Sequence, residues 1–267
     1  MFGRRSDATL VRDAAPLRRF MPFISPGRNQ SLVYFAQAID VERALAFVEQ
    51  RNRSRPAEQP MTLFHLVLRA VARRLHERPR LNRFTAGGKL WQRDGVWLTF
   101  AAKKSFDDDA PVATVKRRFD AAETLDEMSD HLLDSIRASR SDRKTAADHE
   151  VALLLRLPAS VVHFVMRLVR LADGLGLLPR AMIDSDPMFT SVFVANLGSV
   201  GLEAAYHHLW DHGTCPIFCV VGRIHEDENG RRKVTLKWSF DERIEDGFYA
   251  ARTLDGLREL LECPEKL

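Results

Sequence analysis

Ser239-Phe240-Asp241-Glu242-Arg243-Ile244-Glu245-Asp246-Gly247 joins two segments of different periodicity. Upstream, Val234, Leu236, Trp238 and Phe240 alternate with Thr235, Lys237 and Ser239, the period-two pattern of a strand. Downstream, Phe248, Ala251, Leu254, Leu257 and Leu261 recur at helical spacing. Asp246 precedes that helix, where a carboxylate caps the unpaired N–H groups of the first turn. A strand that turns directly into a helix is a good place to present a reactive side chain. The fold therefore has a β-rich last third closed by a helix.

Outward from this stretch the pattern is mixed α/β. Asn229-Gly230 is a hairpin signal, and Ser191 to Ala195 and Ile217 to Val221 are short apolar runs. Leu32 to Ile39 reads as a buried strand. Asp40 is then expected to cap a helix carrying Val41, Ala44, Leu45 and Val48. Thr62 is expected to cap a second helix with Leu63, Leu66, Val67, Ala70, Val71 and Leu75 on one face, stopped by Pro79. Ala86-Gly87-Gly88 marks a turn. Val96 to Ala102 and Val112 to Val115 read as strands around the acidic turn Asp107-Asp108-Asp109. A polar helix from Leu125 to Ser139 precedes a charged, loop-like stretch to Asp148.

Two segments stand apart. Residues 1–30 form a basic arm in which Pro16, Pro22 and Pro26 are expected to interrupt regular structure, leaving it partly disordered or draped over a neighbour. Residues 151–183 are broadly apolar, with Val161, Val162, Val165, Leu168, Val169 and Ala172, then Leu175, Leu177, Leu178 and Met182. The first reading of this segment is a core or subunit-interface helix, and the second a membrane-surface or partner-docking element. The remaining 31–267 reads as one domain.

Composition excludes several classes. The 267 residues carry 40 basic and 36 acidic side chains, a formal charge of +4, without the concentrated basic face of a nucleic-acid binder. The helix face bearing Arg69, Arg73 and Arg74 is expected to be a solvated surface. Cys215, Cys219 and Cys263 are three in number and irregularly spaced, which suits a reducing compartment rather than a disulfide framework. With His212 they lack the paired spacing of a metal site, so no metal is expected. Met1-Phe2-Gly3-Arg4-Arg5 has no apolar run behind it, and His163, Arg167, Arg170 and Asp173 break the most apolar segment, so no transmembrane span and a cytoplasmic location are expected.

Four motifs in order resemble those of the 2-oxo acid dehydrogenase acyltransferases (dihydrolipoyl acyltransferases) and their relative chloramphenicol acetyltransferase. Ser239, Asp241, Arg243, Asp246 and Gly247 fit the frame around that family's His-x-x-x-Asp-Gly signature. Arg78-Pro79-Arg80-Leu81-Asn82 resembles its Pro-x-Leu-Asn helix end, and Ala195-Asn196-Leu197-Gly198 its Ser-Asn-Leu-Gly turn. Pro216 and Gly222 fall where the family has a Pro-containing loop and a strand ending in glycine. The resemblance runs over about residues 30 to 264 and is weakest over 140 to 188. It implies a chloramphenicol acetyltransferase-like two-layer sandwich with a mixed sheet, assembled as a homotrimer. A trimer rather than a cage is expected, because the end Pro264-Glu265-Lys266-Leu267 carries little apolar tail.

The resemblance also implies a chemistry: a histidine takes a proton from coenzyme A or dihydrolipoamide, the thiolate attacks an acyl thioester, and a hydroxyl from the Ser-Asn-Leu-Gly turn of a neighbouring subunit stabilises the oxyanion. Both chemical positions depart. Glu242 replaces the histidine and Ala195 the hydroxyl residue, while Asn196, Gly198, Asp241, Arg243, Asp246 and Gly247 remain as turn and loop-organising residues. An ordinary glutamate, pKa about 4.3, is mismatched to a thiol of about 8.5 by roughly 5–6 kcal/mol. A lost oxyanion donor costs about 2.7–4 kcal/mol. Glu242 has three readings: a loop carboxylate paired with Arg243 or another arginine, a catalytic base with Asp246 organising the loop, or a ligand for a cationic or hydroxyl-bearing group. His207-His208-Leu209-Trp210-Asp211-His212-Gly213 is a near miss to a His-His-x-x-x-Asp-Gly motif, read as a structural loop with His207, His208 and His212 as candidate substitute bases. Coenzyme A or an acyl-CoA is the expected substrate, or a lipoyl or carrier protein acting in trans, since neither a lipoyl domain nor a subunit-binding domain is recognisable. No covalently bound cofactor is expected. A catalytically inactive trimeric scaffold is the alternative.

Overall fold

The computed structural model describes residues 4–103, 112–140 and 153–267. Its centre is a six-stranded mixed sheet ordered β2-β9-β8-β7-β5-β6. The strands are β2 (Leu32–Asp40), β5 (Val96–Lys103), β6 (Val112–Phe119), β7 (Val192–Asn196), β8 (Ile217–Glu226) and β9 (Arg232–Asp241). β7 runs parallel to both β5 and β8, and the other pairings are antiparallel. A second sheet, β1-β4-β3, is built from β1 (Ala8–Leu10), β3 (Arg83–Ala86) and β4 (Lys89–Arg93).

The sheet's faces follow from the alternation in sequence. Val192, Val194, Ile217, Cys219, Leu236, Trp238 and Phe240 point into the main core, beneath α2 (Glu42–Asn52), α3 (Leu63–Glu77), α4 (Leu125–Arg140) and the closing helix. Phe193, Phe218 and Val220 form a smaller cluster on the opposite face, covered by Ala204, Leu209 and Cys215. Helices on one face of a mixed sheet make a two-layer α/β sandwich, as the motifs implied.

Several local expectations change. The leader is ordered: β1 and α1 (Pro16–Ile24) lie within it. Pro16 at the first turn costs no hydrogen bond, and Pro22 is tolerated near the end of a short helix. Asp40 is not the cap of α2; Val41 is, and the Asp40 carboxylate accepts from the Glu42 N–H at 3.1 Å. Thr62 does cap α3, in a capping box completed by His65. Arg69 is buried, and Arg73 and Arg74 pair with Glu77, so that face is only partly the solvated surface expected. The Gly87-Gly88 turn closes a β3–β4 hairpin, both glycines at positive φ.

The apolar segment forms α5 (Ala159–Leu175) and α6 (Arg180–Ser185). α5 passes through Gly174 and ends at left-handed Gly176. None of its residues is buried in this chain, so of the first reading, a core or subunit-interface helix, the core half does not hold. The turn at Asp107-Asp108-Asp109 and the charged residues 141–148 lie outside the described residues. Among the described residues, no helix is long and apolar enough to cross a membrane.

Candidate active site

β9 ends at Asp241, and α7 (Gly247–Glu262) begins five residues after Glu242. The α7 face differs from its sequence reading. Ala250, Thr253, Leu257, Leu260 and Leu261 are buried, whereas Phe248 and Ala251 are exposed. Phe248 occupies the first turn and is 73% exposed.

The turn between them is held by main-chain bonds and by one buried ion pair. Asp241 N–H donates to the Pro216 carbonyl at 2.9 Å, and Glu242 N–H to the Ser31 carbonyl at 3.0 Å. Arg243 grips Asp241 bidentately, Nε to Oδ1 and Nη2 to Oδ2, each at 2.8 Å. Its Nη1 also donates to the Pro26 carbonyl at 2.8 Å. Arg243 is thus committed to Asp241, so of the partners read for Glu242, Arg243 or another arginine, Arg243 is excluded. Asp246 caps α7, accepting the Tyr249 N–H at 2.8 Å, and that bond holds its carboxyl below the usual range. Glu245 is buried and reaches Arg80 at 3.3 Å and Arg83 at 3.4 Å.

Glu242 itself is exposed, and its carboxylate has no hydrogen-bond or ion-pair partner among the described residues. It lines a cleft of about 460 Å³ between the turn and α1, together with Asp246, Arg18, Arg80 and Arg83. Arg18 donates to the Glu242 carbonyl oxygen, so the N-terminal helix is part of this cleft. Sequence reading missed that contribution, because nothing in the local pattern ties residues 13–21 to a turn more than two hundred positions away.

The second chemical position lies elsewhere on the chain. Ala195 pairs with Val220, which pairs with Lys237 on β9. Glu242 is five residues past Lys237 and two strands across, a separation of about 20 Å at ordinary strand geometry. One chain does not bring the two positions together. The turn after Ala195 is well formed: Asn196 Oδ1 accepts the Ser199 N–H at 3.2 Å, and a Cβ on Gly198 would meet the Gly222 carbonyl oxygen at 2.4 Å. Only glycine permits that approach.

The three histidines are engaged in packing. His207 stacks on Phe218 with ring centroids 4.0 Å apart, and burial lowers its pKa. His208 stacks on His207 and is exposed. His212 Nε2 lies 2.6 Å from Asp186 Oδ2. Arg28 and Asn29 fasten the loop through the carbonyls of Trp210, Gly213 and Leu209. The segment covers the second face of the sheet, and none of the three histidines lines the Glu242 cleft. Among the described residues, no group of His, Cys, Asp and Glu side chains is placed to hold a metal ion.

No sequence-family model and no curated protein matches this chain. Solved structures do. The Azotobacter vinelandii dihydrolipoamide acetyltransferase, in which a serine, a histidine and an asparagine have been investigated for roles in the catalytic mechanism, superposes with a TM-score of 0.61. It is 17% identical, over 94% of this chain and 92% of the other. The truncated catalytic core of the 2-oxoacid dehydrogenase multienzyme complex from Thermoplasma acidophilum gives 0.61 at 17% identity, covering 95% and 98%. A chloramphenicol acetyltransferase gives 0.62 at 12% identity, covering 95% and 99%. The chain has the fold of the dihydrolipoamide acetyltransferase catalytic cores and of chloramphenicol acetyltransferase.

Proposed function

We propose that this protein binds an acyl thioester at the turn bearing Glu242, and that acyl transfer, with Glu242 as the base, is its reaction. The observation that carries this reading is the turn itself. Asp241, Arg243 and Asp246 hold it rigidly, while the one side chain at the chemical position is exposed and unpartnered. Arg18 makes no ion pair among the described residues and suits a phosphate of coenzyme A or of a phosphopantetheine-type carrier arm, whereas Arg80 and Arg83 in the same cleft already answer Glu245, and Asp13 and Asp246 line it too. A lipoyl group carried in trans is the other acyl donor of this class. The separation of Ala195 from Glu242 supports a homotrimeric site in which the Ala195 turn of one copy faces the Glu242 turn of the next.

Purified protein incubated with acyl-CoA and thiol, amine or alcohol acceptors tests this. Transfer above background that disappears in Glu242→Ala supports the enzyme reading; no transfer, with no effect of the substitution, rejects it. A thermal-shift series with coenzyme A and acyl-CoAs tests binding alone.

A second reading, a catalytically inactive trimeric scaffold, is favoured by the joint replacement at Glu242 and Ala195. In that case Glu242→His with Ala195→Ser gains transferase activity only where the substrate channels survive.

A further inference from the structure

α5 is a seventeen-residue helix with no buried residue. Val161, Phe164, Leu168, Leu171 and Leu175 form an exposed stripe along it, each at least 38% exposed. Their spacing places them on one helical face. Leu177 extends the stripe beyond the Gly176 cap, at 68% exposure. Such a face is unusual on a folded chain, since exposed apolar patches of this size mark a surface meant to be covered.

What covers it follows from charge. The only acidic residue of α5 is Asp173, which turns inward to an ion pair with Arg5 at 2.8 Å. Arg167 and Arg170 are exposed and make no ion pair among the described residues. With Lys89, Leu171 and Leu175 they line an open cleft of about 510 Å³ that contains no acidic side chain. A second helix stands on the same side. α1 has no acidic residue, carries exposed Arg19, with Arg18 committed to the Glu242 cleft, and exposes Leu17, Phe20, Phe23 and Ile24, each by more than half. The hairpin tip joins the two: Gly87 touches the backbone of Gly174 in α5, and Gly88 abuts the Phe23 ring of α1.

We infer that this face is a peripheral docking surface for an anionic lipid bilayer. Apolar side chains with two interleaved arginines and aromatic rings, lying flat and without acids, have the composition of an interfacial helix. The arginines meet the headgroup phosphates, and the leucine and phenylalanine side chains enter the acyl boundary. A two-fold contact of this face with itself would set Arg167 and Arg170 against like charges, and a three-fold contact would have to bring a different face of the neighbouring copy to them, which the oligomeric-state arm of the test reads.

The test is co-sedimentation of the full chain with vesicles of phosphatidylcholine alone and of phosphatidylcholine mixed with phosphatidylglycerol. Roughly thirty-fold tighter partition onto the anionic vesicles is expected for two arginines at the surface. Arg167→Gln with Arg170→Gln removes most of that difference. Leu168→Gln with Leu171→Gln abolishes binding to both compositions, and leaves the melting curve in place because neither leucine is buried in the chain. Light scattering on the same variants follows the oligomeric state. Equal affinity for neutral and anionic vesicles, or no binding to either, overturns the inference. So does conversion of an oligomer to monomer by the leucine substitutions with vesicle binding intact, which assigns the face to a second copy. A salt titration of the unaltered chain decides the matter without any variant: affinity falling with ionic strength supports an anionic surface, and salt-independent binding refutes it.

Discussion

Arg243→Met removes the cation that holds the Glu242 turn. The Arg243 and Asp241 side chains are 5% and 1% exposed, and they meet through two bonds of 2.8 Å. Without the guanidinium, the buried Asp241 carboxylate keeps one hydrogen bond, from the Arg243 main-chain N–H at 3.1 Å, and the more distant attraction of Arg28. The Pro26 carbonyl loses its donor as well. Breaking a buried pair from one side costs up to about 3–5 kcal/mol, because a charge that only Arg28 still answers stays behind. A domain is stable by about 5–15 kcal/mol in all, so the variant sits close to the edge of folding. Asp241→Leu combined with Arg243→Met removes both charges and recovers much of the loss. Urea unfolding followed by circular dichroism reads all of these, with an unchanged slope required for the comparison. If Arg243→Met costs less than about 1 kcal/mol, as an exposed pair would, the turn is not held by this pair and the account of a preserved scaffold fails.

Burial, and then the nearby Arg55 charge, lower the His65 pKa from 6.5 to about 4. A folded-state pKa below the unfolded one contributes stability above about pH 6.5 that is lost as pH falls toward 4, roughly 3 kcal/mol in all. Urea midpoints at pH 7 and pH 5 should differ by the equivalent of about 2 kcal/mol of it, the rest being lost below pH 5. His65→Gln, which keeps a capping-box acceptor opposite Thr62, should flatten that difference. Gly198→Ala should lower the melting temperature by an amount equivalent to about 1–3 kcal/mol, since its methyl group has no room beside the Gly222 carbonyl. If Glu242→His with Ala195→Ser gains activity, mixing subunits that carry one substitution each should also give active oligomers, while neither parent alone does; activity absent from the mixture would place both halves of the site in one chain.

The fold was legible because its signals are local and mutually consistent. The alternation from Val234 to Phe240, the Asn229-Gly230 turn and the Asp246 cap each describe their own element, and the sheet assembles from them. Long-range contacts were not legible. The alliance of Arg243 with Asp241 against Glu242 depends on which way a turn points, and Arg18 enters the cleft from a helix that prolines seemed to forbid. The length of β8 beyond Val221 was hidden by Arg223, His225 and Glu226, whose polarity reflects solvent on both sides of a strand end rather than a loop. The apolar α5 was read as a core or subunit-interface helix; the core half fails, because periodicity reports a face and says nothing of what covers it.

The two departures from the acyltransferase pattern are unequal once their surroundings are compared. Ala195 packs against the small apolar cluster of Phe193, Phe218 and Val220. A hydroxyl there would be half-buried and in need of a partner, so alanine is what packing alone prefers. Glu242 has no such account. Its side chain touches no partner among the described residues, and the turn is held by its neighbours. Replacing it should change stability by no more than about 0.5 kcal/mol. Glu242 stands in a cleft with Arg18, Arg80 and Arg83 and with Asp13, Glu245 and Asp246, so the transfer and binding assays, and not stability, read its role. The weight of the functional question therefore falls on Glu242 and the arginines beside it, while Ala195 can be a consequence of packing in the layer beneath.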